Sequence, residues 1–246
     1  MELLHKHVSI RKFQKRKIQR ELLESLLYSG TRASTTGNMQ LYSIIINEDG
    51  NKKDELVPLH FNQSVAVNAP VLLTFVADFN RFSEWCRLRN ATPGYDNFLS
   101  FFTAAIDALL VAQNVCIAAE NAGLGVCYLG TTTYNAKEII QVLQLPKLTF
   151  PITTVALGYP DENPGLTDRL PLQGVIHFET YSNYGETKLK ELYQYKEELA
   201  SSKKFIEENG KETLAQVFTD IRYNKKDNEF FSGKMIETLR EQGFIE

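Results

Sequence analysis

The sequence predicts an α/β or α+β fold, helices and strands mixed along one chain, on three observations. Short apolar runs at 41–46, 71–77 and 152–159 have the length and β-branched composition of strands. Helical spacing of apolar residues recurs around them, at 21–27, 136–143, 188–209 and 235–242. The longest periodic segment, 98–122, holds neither Gly nor Pro and is apolar on nearly every face. Such a helix is buried on most sides, either at the centre of the fold or in an interface between subunits.

Each element has a local cause. Leu22, Leu23, Leu26 and Leu27 form one apolar side of the first helix. The small, polar run 30–37 reads as a loop and 50–54 as a polar turn. Pro70 precedes the second strand, and Gly123 stops the long helix. A short strand at 126–129 then ends at Gly130, and the helix at 136–143 is closed by Pro146. The run 152–159 alternates imperfectly. After Pro164 the composition shifts to a loop at 163–171 and then to charged helical sequence. The chain is therefore read as a core, 1–184, and a helical extension, 185–246, that packs on the core or on a partner subunit.

The totals exclude several classes. A formal net charge of -3 argues against general nucleic-acid binding, which needs a basic surface. No run reaches the roughly 18 apolar residues of a membrane span. The basic first twenty residues lack the apolar stretch of a secretory leader, so a cytoplasmic location is expected. Cys86, Cys116 and Cys127 are too widely spaced for a zinc knuckle or a dithiol pair and are expected as reduced thiols. No metal site is expected, because His5, His60 and His177 are scattered.

Four motifs could carry chemistry. If 7–13 is extended, His7, Ser9 and Arg11 share one face while Val8 and Ile10 share the other. That face suits a phosphate monoester, and it equally suits a solvated basic terminus. Ser34, Thr35, Thr36, Gly37 and Asn38 offer hydroxyls and an amide to a polar heterocycle, or form an ordinary turn. Gly123, Gly125 and Gly130 close a helix and lead into a strand, the reverse of a Rossmann fingerprint, in which the glycines open a helix. Arg169 sits in a rigid loop, as a ligand or as a surface arginine beside Asp168.

In this order and spacing the pieces resemble the nitroreductase family, in particular its NADPH-dependent nitroreductase and flavin reductase branch. The carriers are the run from Ser9 to Phe13, the helix end from Ala118 to Gly125, the strand end Tyr128, Leu129, Gly130, and Gly158-Tyr159-Pro160 followed by Arg169-Leu170-Pro171. The resemblance implies a central, mostly antiparallel sheet flanked by helices, a long buried helix and a C-terminal extension. It implies FMN as cofactor, NADPH or NADH as hydride donor, nitroaromatics, quinones or flavins as acceptors, and a homodimer. His7, Val8, Ser9 and Arg11 then contact the FMN phosphate and ribityl chain, with Arg169 as a second phosphate ligand. Ser34 to Asn38 cross the dimer interface towards the flavin. Gln63 lies near the ring, and Tyr128, Leu129, Gly130 and Thr131 run beside it. Asn38, Lys203 and Lys204 are expected on the substrate side.

Two features depart from the family pattern. Thr167 stands where many relatives carry a phosphate-binding Lys. Lys203, Lys204 and Lys211 stand in a region without arginine between Arg169 and Arg222, where relatives use arginines for the extra phosphate of NADPH. A flavin storage or delivery protein without turnover is the alternative reading.

Overall fold

Four strands form one antiparallel sheet in the order β1-β2-β4-β3, with β1 Tyr42–Glu48, β2 Val71–Asp78, β3 Gly125–Leu129 and β4 Thr149–Gly158. This is a computed structural model describing all residues 1–246. The antiparallel α+β architecture agrees with the sequence reading. All eight residues of β2 are buried, which is why the strand reads as an unbroken apolar run. The imperfect alternation of β4 also has a cause. Its register against β2 jumps at Phe75/Val76, opposite Thr153 and Pro151, so Ile152 is an extra residue. Pro151 has no N–H to give the ladder, and a bulge is where such a residue is tolerated.

The helices are α1 Glu2–His5, α2 Arg20–Gly30, α3 Asn51–Leu56, α4 Ser64–Asn68, α5 Asn80–Leu88, α6 Phe98–Asn121, α7 Ala136–Leu143, α8 Glu186–Glu198, α9 Ala200–Glu208, α10 Leu214–Gln216 and α11 Lys225–Gln242. The polar turn expected at 50–54 is instead the start of α3. Its Lys53 is buried and bonds Asp49 (2.8 Å) and the Val67 carbonyl (3.2 Å). The helix expected over 188–209 breaks at Leu199, whose backbone is extended (φ -55°, ψ 137°). The last helix starts ten residues earlier than its apolar spacing suggests. Asn224 accepts from the Asp227 amide (2.9 Å) and donates to its carboxylate (2.7 Å), a reciprocal cap that starts the helix.

The chain forms two units, Met1–Gly165 with Phe231–Glu246, and Leu166–Phe230. In the first, Ala104, Ala108, Val111, Ala112, Val115 and Ala119 of α6 form the inner face that packs on the sheet and on α2. Contrary to the composition argument, α6 is long and apolar enough to cross a membrane. Its inner face instead fills a core. Its opposite side is open: Leu99, Phe102, Ile106, Leu109 and Leu110 are 41–73% exposed and follow one another at helical spacing. The expectation of burial on most sides therefore holds for the inner half alone within one chain.

Candidate functional site

The N-terminal strap is built on β3. Ile10 N–H donates to Val126 O (2.9 Å), and Ile10 lies so close over Gly125 that a Cβ there would come within 2.6 Å of it. Farther on, Phe13 pairs with Pro160 and leaves a Cβ at Gly158 only 2.8 Å of clearance. These two glycines are needed for close approach, not for turning. Ile10 and Phe13 are buried and Val8 packs beside them, while Arg11 is exposed. The alternation expected for an extended 7–13 segment is seen at Ile10 and Arg11 and breaks beyond them, where Lys12 is exposed and Phe13 is buried.

The polar atoms of the strap divide into held and free. His7 Nδ1 is 2.6 Å from Glu120 Oε1 on α6, which leaves Nε2 as the ring's remaining hydrogen-bonding atom. Glu162 accepts the backbone amides of Arg11 and Lys12, the latter at 3.0 Å. The Arg11 amide, then that of Lys12, holds the Glu162 carboxyl below its usual range. The Arg11 guanidinium and the Ser9 hydroxyl make no hydrogen bond to the protein. Glu120 and Glu162 were not legible as site residues, because their partners lie more than a hundred residues away in sequence.

The strap lies along β3, and β3 ends in an open turn. A Cβ at Gly130 would meet nothing within 4 Å. Neither the Gly130 nor the Thr131 amide donates to a protein acceptor, so two main-chain donors remain available. Gln63 reaches the same end of the sheet. Its turn is tied to this segment by His60 Nδ1 to Thr131 Oγ1 (3.0 Å) and by Asn135 Nδ2 donating to Leu59 O (2.7 Å). Tyr128 is partly exposed and its hydroxyl donates to Gln113 Oε1 on α6 (3.3 Å).

The loop 34–38 is organised separately. Asp107, buried on α6, accepts from Thr36 N (2.9 Å), Thr36 Oγ1 (3.2 Å) and Leu41 N (3.1 Å). Gly37, Asn38 and Gln40 have φ of 56°, 55° and 50°, in the left-handed region. Arg81 donates to the carbonyls of Gln40 and Tyr42 and closes the loop from the other side. Ser34, Thr36, Gly37 and Asn38 are exposed. One helix thus anchors this loop through Asp107, Tyr128 through Gln113 and His7 through Glu120. Thirteen residues of helix place the first and last anchors roughly 20 Å apart. Within one chain the loop is therefore not gathered to the strap.

The second unit holds Thr167, Arg169, Lys203 and Lys204. Arg169 Nη1 folds back onto Thr167 Oγ1 (2.6 Å) and the Asp168 carbonyl (2.9 Å). Asp168 pairs with Lys196 (2.6 Å) and not with Arg169. Lys204 pairs with Glu208 (3.6 Å) and Lys211 with Asp220 (2.9 Å). Lys203 makes no ion pair and lines a groove with Glu197, Ile206 and Lys211.

Two of the three thiols are poor nucleophiles. All three are free and buried. Burial pushes Cys116 up to about 12, and pushes Cys127 up against the opposing charge of Arg11. The nucleophile is the thiolate, so both are inert near neutral pH. Cys127→Ala is expected to keep turnover within about twofold of the parent protein, since a buried, protonated thiol supplies neither nucleophile nor base. Initial rates of the variant and the parent check this; a loss well beyond twofold in the variant contradicts it.

Comparison with known proteins gives consistent findings. The model of the Nitroreductase family matches residues 4–159. A protein of Staphylococcus saprophyticus named "NADPH-dependent oxidoreductase" is 34% identical over 255 residues, covering 99% of this chain and 96% of its own. A crystal structure from Bacteroides fragilis is 55% identical over the full length of both chains, with a TM-score of 0.99. The NADPH:FMN oxidoreductase from Vibrio harveyi, solved with NAD+, is 25% identical with a TM-score of 0.79, covering 99% of this chain and 97% of that one.

Proposed function

Because the chain belongs to the nitroreductase family, we propose that this oxidoreductase is a flavoenzyme that takes hydride from NADPH or NADH through FMN and passes it, in a ping-pong cycle, to nitroaromatic, quinone or flavin acceptors. The observation that carries the reading is the strap on β3. It leaves the Arg11 guanidinium and Ser9 hydroxyl unbonded, on a strand that ends in an open turn with two free amides.

That donor set fits FMN. A guanidinium fork and a hydroxyl match phosphate oxygens, and the His7 ring can add its second nitrogen. Free amides at Gly130 and Thr131, with the Gln63 side chain, match the carbonyl and nitrogen edge of a flavin. When bound, FMN supplies the electron-pair transfer between the two substrates, and the protein supplies position and electrostatics. Main-chain donors at Gly130 and Thr131 stabilise negative charge on the ring without titrating. With the neighbouring thiols protonated, no side-chain acid or base is assigned. In the second unit, Arg169 beside Thr167 is by itself a cation suited to a phosphate group. Lys203 and Lys204 receive the phosphates of the nicotinamide donor, and Asn38 faces the substrate. The relative named NADPH-dependent supports NADPH as one donor.

The functional species in this reading is a homodimer. The apolar stripe of α6 is the surface that a second copy covers, since exposed apolar patches of this extent mark association sites. Ser34 to Asn38 then serve the partner's flavin, which accounts for their distance from the strap in their own chain. Reduced, unpaired thiols agree with a cytoplasmic setting.

The test is an absorbance spectrum of the purified, FMN-loaded protein, mixed anaerobically with NADPH and then with NADH. Bleaching of the flavin bands, and recovery on adding a quinone, is the expected result. A yellow protein whose spectrum neither nucleotide alters would establish storage or delivery instead. A protein that takes up no FMN would overturn the reading.

A further inference from the structure

His60 is a buried polar group with no evident structural need. It ends the turn Val57–His60 and is 0% exposed. Its Nδ1 lies 3.0 Å from Thr131 Oγ1, itself buried, and its Nε2 has no partner. Burial lowers its pKa to about 4, so the ring is neutral and does not titrate near neutral pH. Placing an imidazole here costs desolvation, and the unpartnered nitrogen costs more. A leucine of similar volume would avoid both. The residue therefore does something that a leucine would not.

Its one hydrogen bond joins two segments. On one side, Phe61 and Asn62 both occupy the left-handed region (φ 54° and 51°) and deliver Gln63. Two consecutive non-glycine residues in that region are strained and persist where surrounding contacts hold them. On the other side stand Gly130 and Thr131, with their free amides. Asn135, bonded to the Leu59 carbonyl, fixes the same pair of loops from farther along.

We propose that His60 is a positioning residue: through Thr131 it sets the Gly130–Thr131 main chain against the Gln63 turn, and so tunes how strongly the protein prefers reduced over oxidised flavin. This rests on FMN occupying that ledge. The ring is well suited to the task. Its only bond orients both partners, and being uncharged it holds the ledge without adding a charge that would vary with pH.

Three full-length variants test it. His60→Leu keeps the volume and removes the bond. Thr131→Val removes the hydroxyl and keeps the shape. His60→Asn puts an amide near the position of Nδ1. The readouts are FMN affinity by fluorescence titration and the midpoint potential of the loaded protein by dye equilibration. His60→Leu and Thr131→Val are each expected to weaken the preference for reduced flavin about tenfold, a shift of roughly 30 mV to lower potential for a two-electron couple. The double variant should lose no more than either single one, because both cut the same bond. His60→Asn should recover most of the shift.

Unchanged potentials in both single variants, or additive losses in the double, overturn the role of His60 and leave the flavin reading standing. If Thr131→Val is the one variant that folds, an unshifted potential in it overturns the role as well. If the parent protein fails to take up FMN, the flavin reading falls, and this inference with it.

Discussion

Replacing Arg11 with Ala is expected, on the proposed flavin site, to give a protein that leaves purification colourless and inactive together. The guanidinium is exposed on the strap, has no hydrogen-bonding duty within the protein, and lies near enough to oppose the rise in the Cys127 thiol. Removing it therefore leaves the fold intact, and its loss falls on whatever anion it serves. A hydrogen bond to a charged group contributes about 1.5–3 kcal/mol, so FMN should bind roughly 10- to 150-fold more weakly. Arg11→Lys should recover only part of this, because an ammonium lacks the fork that spans two phosphate oxygens. The measurement is the ratio of flavin to protein after gel filtration, followed by FMN titration. A yellow, active Arg11→Ala protein would show that the strap does not hold the phosphate.

The second large effect is on stability. Phe244 is fully buried two positions before the last residue, in a cluster with Phe101 (ring centroids 5.5 Å apart) and, through it, Phe150 (5.3 Å). Leu239 shares that cluster, and Gln242 donates to the Thr149 carbonyl at 2.8 Å, so the end of α11 is stitched to β4. Phe244→Ala should cost about 3–5 kcal/mol, the usual range for removing a buried aromatic ring. In a chain of this size that lowers the calorimetric midpoint by roughly 6–20 °C. A shift below about 2 °C would mean that the terminal segment adds little to the core, contrary to ordinary core behaviour.

Elements whose cause is local were legible in the sequence. The helix α7 and the strand β2 follow from periodicity and composition within ten residues, and both are found where expected. So is the extended strap, with Ile10 in and Arg11 out. What escaped depends on partners far along the chain or on polar capping. The early start of α11 rests on the Asn224–Asp227 exchange, which an apolar count does not see. The bulge in β4 follows from Pro151 only once β2 is known to lie beside it. Asp107 caps a loop some seventy residues earlier, and nothing near it in sequence announces that partner. His60 looked like one of several scattered histidines, since nothing near it in sequence points to Thr131. Glu120 and Glu162 were silent for the same reason. Side chains proposed to face a ligand left a motif, whereas those that hold other residues in place did not.

The three attachments on α6 have an evolutionary corollary. Asp107, Gln113 and Glu120 are fixed to one another by helical geometry, and each is bonded to a different part of the chain. Inserting or deleting a single residue between them would swing the later attachments by about 100° and slide them by about 1.5 Å. Drift in this stretch is thus confined to substitution, while length variation is channelled into the connections outside it.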